Sequence, residues 1–276
     1  MGTRILPAFY LALPESYVMP KILSMLVALV VFTSSVAAIT EISSLKSIIN
    51  DVNAQTLVVL DIDNTIFEPQ QVRATDQWFC AMFEHACNNG YGYQEAVAKV
   101  LPFYIDAHAD TKVTLVESCG VSVINDLCEK SLAVIALSAR SLPMIPHTKR
   151  QFKDLGIDFT RSNVGHVRTD FTLNCGPVKF LEGVTYCGNN DKGETLLRVL
   201  DRLNLEPQKI IFVDDKEKNL KCVERSVARR KIPFIGKRFA ACDAKVKAFV
   251  LDEKSKALIH PPKKVVQPLT PVSMAG

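Results

Sequence analysis

The stretch that most restricts what this chain can fold into is Leu57 to Ile66, L-V-V-L-D-I-D-N-T-I. An apolar strand delivers two aspartates, Asp61 and Asp63, to its carboxyl end, and Thr65 follows. An open α/β sheet binds its ligands at that end. Strands of this type are buried, so two carboxylates leaving one together carry a desolvation and repulsion cost that something must offset. A bound cation is the simplest answer; ordinary turn chemistry is the alternative for an isolated pair. The pair is not isolated. Lys209 to Leu220, K-I-I-F-V-D-D-K-E-K-N-L, is a second short strand of buried type that ends in Asp214 and Asp215, with Asn219 following.

Two further segments point to the same rim. Leu132 to Arg140, L-A-V-I-A-L-S-A-R, is a third apolar strand; it ends in the hydroxyl of Ser138 and runs towards a helix expected to begin near Pro143. A hydroxyl beside backbone N–H groups at a helix start forms an anion seat, although Ser138 could simply cap that helix. Lys192 lies in G-N-N-D-K-G-E-T-L-L, at the entry to an amphipathic segment carrying Leu196, Leu197, Val199, Leu200 and Leu203. It brings a cation to the strand ends, where a lysine alone would more often be a solvated surface residue.

This ordered set resembles the haloacid dehalogenase-like (HAD) superfamily, whose phosphatases carry D-x-D-x-T, then a strand-end Ser or Thr, then Lys, then a strand-end acidic pair. The resemblance runs from about Leu57 to Phe239. It implies an α/β fold with a Rossmann-like parallel sheet of HAD type, a helical cap, Mg²⁺ as cofactor and a small phosphorylated substrate. It also implies roles. Asp61 is the expected nucleophile, forming an aspartyl-phosphate that splits one difficult hydrolysis into two steps. Asp63 is the expected acid and then base. The expected Mg²⁺ ligands are the Asp61 carboxylate, the Asp63 main-chain carbonyl and Asp215, with Asp214 as a ligand through water. Ser138 and the N–H of Ala139 are expected to hold phosphate oxygens, and Lys192 to compensate charge on nucleophile and phosphate. Asn219 is assigned to orienting Lys192 or the acidic pair. Arg140 and Asn64 receive no role. Phosphotransfer uses the same residues, and a HAD-fold protein that binds a partner with little catalysis is the alternative from another class.

Around this core, residues 39–68 and 131–249 form the expected HAD-type domain, and residues 69–130 the cap. Asp76 is placed to cap a helix presenting Trp78, Phe79, Met82, Phe83 and Ala86, and further helical patterns follow at Ala96 to Ile105 and Val121 to Leu127. Trp78 and Phe79 are candidates for the inner face of that cap. A hairpin is expected around Glu182-Gly183 and a last strand near Ile232 to Ile235, and residues 250–276 read as a basic, partly disordered tail.

Residues 1–38 read as a leader. Met19-Pro20-Lys21, an apolar run from Ile22 to Phe32 and the order T-S-S-V-A-A describe a secretory signal if translation starts at Met19, with the mature chain beginning near Ile39. The apolar part is shorter than the roughly 20 residues of a spanning helix, so export is expected, periplasmic or secreted, rather than an uncleaved membrane anchor. Eight cysteines fit an oxidising compartment, where local pairs such as Cys175 with Cys187 are plausible and connectivity stays open. A net charge of +4 without a basic stripe interleaved with aromatics gives no support to a nucleic-acid partner. The oligomeric state is left open.

Overall fold

The apolar runs fold into a sheet whose strands are covered by helices on both faces. The computed structural model describes residues 39–260. Its strands and helices are β1 (Thr40–Ile42), β2 (Thr56–Leu60), β3 (Phe67–Pro69), α1 (Asp76–Asn88), α2 (Tyr93–Asp110), β4 (Val113–Leu115), α3 (Gly120–Lys130), β5 (Ala133–Ser138), α4 (Ile145–Leu155), β6 (Arg168–Leu173), β7 (Gly176–Leu181), β8 (Val184–Tyr186), α5 (Lys192–Leu203), β9 (Lys209–Asp214), α6 (Glu217–Ala228), β10 (Phe234–Phe239), α7 (Asp243–Ala248) and α8 (Glu253–Lys256). The main sheet has the order β1-β10-β9-β2-β5-β8-β7-β6. The strands from β1 to β8 in that order pair in parallel, and only β7 runs against the rest, pairing antiparallel with both β8 and β6 at one edge. The fold is therefore α/β with a mostly parallel sheet, as the strand pattern led one to expect.

Alternation along each strand decides which layer a side chain joins. On β2, Val58 and Leu60 pack with Val123, Ile124 and Leu127 of α3 and Phe152 of α4. Their neighbours Leu57 and Val59 pack on the opposite face with Leu196, Leu197 and Leu200 of α5 and Leu220 and Val223 of α6. Both faces being dry, β2 is apolar without interruption from Leu57 to Leu60, and the next side chain is the polar Asp61. From β2 the chain goes to β5 on one side and later to β9 on the other. The crevice between β2 and β9 is thus a topological switch point, the place where sheets of this kind hold ligands.

The insertion after the first acidic pair is narrower than residues 69–130. Strands β3 and β4 pair antiparallel and tie its two ends together, and α1 and α2 form the excursion beyond them. Helix α3 belongs to the core instead, because Val123, Ile124 and Leu127 form an apolar stripe buried against β2 and β5. Trp78 points away from the site: it is fully buried between α1, α2 and residues 249–259, and its indole Nε1 donates to Ser255 Oγ at 2.9 Å.

That bond corrects the expectation of a solvated tail from residue 250 onward. Ser255 and Ile259 are buried, and Leu251 and Leu258 pack against the same cluster as Trp78 and Met82. Residues 250–260 thereby act as a strap across the helix pair; the aromatic face of α1 has to be covered, and the apolar positions among the lysines cover it. The hairpin is where it was expected, with Glu182 at φ 52° and Gly183 at φ 74°, two left-handed residues of the kind a two-residue turn requires. The last strand begins at Phe234 rather than Ile232, after Pro233, which has no N–H to give a ladder. Cys175 and Cys187 are not joined: Cys175 is exposed, Cys187 is buried, and all eight cysteines are free thiols. The leader and the proposed cleavage point at Ile39 lie outside the described residues apart from Ile39 itself. Among the described residues no helix is long and apolar enough to cross a membrane.

Candidate functional site

Strand register brings the two acidic pairs together. Leu60 pairs with Val213, and Asp61 N donates to the Val213 carbonyl at 2.9 Å, so Asp61 and Asp214 leave adjacent parallel strands side by side. Between them stands Lys192 Nζ, 2.8 Å from Asp61 Oδ1 and 2.8 Å from Asp214 Oδ2, with all three side chains almost wholly buried. Lys192 is the first residue of α5, whose start is fixed by Asp191 Oδ1 accepting from Glu194 N at 2.9 Å. The following Gly193 allows α5 to press on α6, since a Cβ there would meet Ser226 Oγ and the Cys222 carbonyl. The D-K-G-E order thus drives an ammonium into the core at the strand ends. Burial opposes that charge, but Asp214 and Asp61 overcome the penalty and hold the Lys192 ammonium above the ordinary lysine range.

Asp214 is the anchor of this arrangement. Its oxygens also accept from Asn219 Nδ2 at 2.9 and 3.0 Å and from the Lys216 N–H at 2.8 Å. Asn219 therefore orients the acidic pair through Asp214. Asp215 is far less engaged; Asn64 Nδ2 lies 3.4 Å from its Oδ2. Asn64 can reach it because the chain turns sharply after Asp63, with Asn64 at φ 58°, a left-handed conformation that Asn tolerates better than most residues.

Oxygen atoms of Asp61, Asp214 and Asp215 lie within 4.8 Å of one another. Burial pushes the Asp61 carboxyl well above its usual value against the pull of Lys192, and burial with the Asp214 charge pushes Asp215 up to about 7. Five carboxylates, counting Asp63 and Asp76, face three cations, Lys192, Arg140 and Lys216, so the group is short of positive charge. An all-oxygen donor set with that deficit fits a hard divalent cation such as Mg²⁺. Asp61 and Asp215 would hold it most directly, and Asp214, whose oxygens are already engaged, would sit behind them.

The second acid, Asp63, faces the opposite wall. Arg140 grips it with a two-pronged contact, Nε to Oδ2 at 3.0 Å and Nη2 to Oδ1 at 2.8 Å. Burial works to raise the Asp63 carboxyl, yet the guanidinium overrides it and holds the group below the usual carboxylate range. Arg140 is itself positioned from three sides: Nη1 donates to Thr148 Oγ1 at 2.9 Å and to Gln151 Oε1 at 2.7 Å, and the guanidinium lies 5.0 Å from the Phe67 ring centroid. Gln151 continues to His108 Nδ1 at 3.0 Å, a fully buried histidine from α2 that burial and the nearby Arg140 keep neutral, with its pKa lowered to about 3. Sequence reasoning gave neither Arg140 nor Asn64 a role. A signal existed: an arginine directly after a fully buried strand must find a partner, and Thr148 and Gln151 stand three apart on the helix that follows.

Ser138 is buried and its Oγ accepts from the Arg140 N–H at 3.1 Å, while Ala139 is exposed on the cleft wall. Ser138 does not cap a helix, since α4 begins seven residues later after a 3-10 turn over Leu142–Met144. The cleft is a cavity of about 920 Å³ with Asp63, Ala139, Arg140 and Lys192 on one side and Phe79, Phe83, Tyr93 and Tyr104 of the α1–α2 pair on the other. Of the two aromatics expected on the inner face of the cap, Phe79 is there and Trp78 is not. Asp76, at the first turn of α1, is bridged by Lys216 Nζ at 2.6 Å, which joins the helix pair to the loop that carries Asp215.

Among known proteins, the chain is 23% identical over 201 residues to a "Putative outer membrane protein" of Chlamydia trachomatis, covering 72% of this chain and 75% of that one. It is 25% identical over 219 residues to an uncharacterised protein of Rickettsia prowazekii, covering 74% and 75%. Among solved structures, a haloacid dehalogenase-like family hydrolase of Streptococcus pneumoniae aligns over 72% of this chain and 92% of its own at 11% identity, with a TM-score of 0.41. The HAD domain of the Legionella pneumophila effector Lem4 aligns over 74% and 98% at 14% identity, with a TM-score of 0.36. A family model for the proteins of unknown function termed DUF2608 matches residues 38–259, nearly the whole of the described domain, and the chain belongs to that family.

Proposed function

We propose that this protein is a Mg²⁺-dependent phosphohydrolase that acts on a phosphorylated small molecule through an aspartyl-phosphate on Asp61. One observation carries the proposal: Asp61 and Asp214 share the buried Lys192 at 2.8 Å each, with Asp215 beside them and Asp63 held separately by Arg140. Two acids with opposite environments are what nucleophilic attack and proton transfer each require. Asp61, fixed by its backbone bond to β9 and by Lys192, presents one carboxylate oxygen to phosphorus. Lys192 offsets the negative charge that nucleophile and phosphate bring together. Ser138 and the Ala139 N–H supply donors to the phosphoryl oxygens. Mg²⁺, held by Asp61 and Asp215, would supply a Lewis acid and a template for the in-line arrangement. Asp63, ionised at rest, gains a proton as the phosphate dianion approaches and competes for Arg140; it gives that proton to the leaving oxygen and takes one back from the attacking water.

The location follows from a different part of the chain. The Lys21, apolar run and V-A-A order of the leader, together with relatives whose name places them at an outer membrane, support export from the cytoplasm.

In a secretion-competent host the mature amino terminus should map at or near Ile39; a full-length product retained in the cytoplasm would end the export proposal. The metal is tested through stability. Asp215 keeps its proton up to about pH 7 in the folded chain and loses it near pH 4 when unfolded, so without metal its contribution to stability falls as pH rises from 4 to 7. The neutral His108 works in the other direction, and comparing wild type with Asp215→Asn cancels it. With chelator present, the wild type should lose stability relative to Asp215→Asn between pH 5 and pH 8, and millimolar Mg²⁺ at pH 8 should restore it by mass action. Superimposable pH curves for the two proteins, with no response to Mg²⁺ and no Mg²⁺-dependent hydrolysis, would make the partner-binding alternative the better one. Arg140→Met removes the main opponent of burial at Asp63, and the pKa of that carboxyl rises. The basic limb of the kcat/KM profile, which reports loss of the proton that Asp63 must donate, should then move to higher pH, and turnover of alkyl phosphates should fall about 10²-fold, more than that of aryl phosphates. An unshifted limb would remove Asp63 from proton transfer.

A further inference from the structure

The wall of the cleft opposite Asp63 and Lys192 is built from rings. Phe79 and Tyr104 stand 5.0 Å apart at 56°, and Phe83 and Tyr93 5.1 Å apart at 69°, two tilted pairs on facing helices α1 and α2. Val97 and Leu101 of α2 line the same cavity. Tyr93 is 61% exposed, a large apolar side chain left open at the mouth of the cavity.

Several of the polar groups that share this lining are already engaged. Asp76 is bridged by Lys216, and Asp191 accepts from Glu194 N and from Cys222 Sγ. Asn190 donates to the carbonyls of Gly176 and Cys187 and accepts from Cys175 N. Ser141 Oγ is a buried hydroxyl without a partner among the described residues, and the exposed Asn189 and Lys218 also line the cavity. A polyol phosphate needs a hydrogen-bond partner for each hydroxyl it brings, and one that finds none in a closed cleft forfeits its solvation. An aromatic body has no such requirement, and it adds offset or edge-to-face contacts to ring pairs already arranged that way. At about 920 Å³ the cavity also lies near the upper end of ligand sites, which run from roughly 300 to 1,000 Å³.

Building on the phosphohydrolase reading above, we propose that the substrate is a phosphomonoester whose alcohol carries an aromatic body, seated between α1 and α2 against Phe79 and Phe83, with its phosphate at Asp61. The α1–α2 pair is then a specificity wall, separate from the groups that move protons or phosphate.

Leaving-group acidity must be kept constant, so the probes are phosphates of primary alcohols: 2-naphthylmethyl phosphate against glycerol 3-phosphate and n-butyl phosphate, with Mg²⁺ present. Wild type should favour the naphthylmethyl ester in kcat/KM by at least about tenfold over both others. Phe83→Ala should reduce that preference by about three- to tenfold, the naphthylmethyl ester losing far more than the glycerol ester, and Tyr93→Ala, at an exposed position that folding does not need, should act in the same direction. Calorimetric binding of 2-naphthylmethylphosphonate, which is not hydrolysed, gives a readout that does not depend on turnover. Binding that weakens in Phe83→Ala without any hydrolysis would sustain the aromatic site and sink the enzyme reading. Equal or better turnover of the glycerol ester, or a preference unmoved in both variants, would overturn the aromatic site and leave the phosphatase standing.

Discussion

One buried ammonium holds the site together. Lys192 lies between Asp61 and Asp214, which would otherwise face each other across adjacent strands with no charge between them. Removing one partner from such a buried pair typically costs about 3–5 kcal/mol, because the charge left behind has neither water nor counter-ion. The fold is arranged to make the contact: parallel pairing of β2 with β9 sets the two aspartates level, and Gly193 lets α5 approach α6 closely enough for its first residue to enter the core. Asp214, fully engaged by Lys192, Asn219 and the Lys216 N–H, is the fixed point from which Asp61 is positioned.

A second network gives the other acid a different character. Asp61 and Asp215 are pushed towards protonation by burial and mutual repulsion, whereas Asp63 is kept ionised by the two-pronged Arg140 contact. Arg140 is steadied in turn by Thr148 and Gln151 of α4 and, through Gln151, by His108 of α2. The helix pair over the site is therefore linked to it twice, through His108 and through the Asp76–Lys216 bridge. Neutral His108 matters here, since a second positive charge beside Arg140 would be repelled by it.

Much of this was legible in the sequence where one strand carries both its burial and its terminal chemistry. L-V-V-L-D-I-D and K-I-I-F-V-D-D declare apolar strands and the carboxylates they release, and D-K-G-E declares a helix start with a lysine on it. What stayed hidden depends on contacts between distant segments. Arg140 is one residue past Ala139 in the chain, but its meaning comes from Asp63, 77 residues away. The packing of residues 250–260 on Trp78 escaped notice because lysines dominate the local composition, while the apolar positions among them are read only once a receiving surface is known. Helix α3 reads from the sequence as part of the insertion for the same reason: its stripe at Val123, Ile124 and Leu127 states that it packs, not against what.

The account stands on Asp61 as the attacking group, and that is open to direct chemical identification. The mature protein is mixed with a phosphomonoester it hydrolyses and Mg²⁺, quenched within the first turnovers and treated with borohydride, which reduces an acyl phosphate to an alcohol; the digested chain is then sequenced by mass spectrometry. Homoserine at position 61, absent without substrate and absent from Asp61→Asn, is the predicted result. Hydrolysis that proceeds with Asp61 unmodified, or with the mark on another residue, would contradict it.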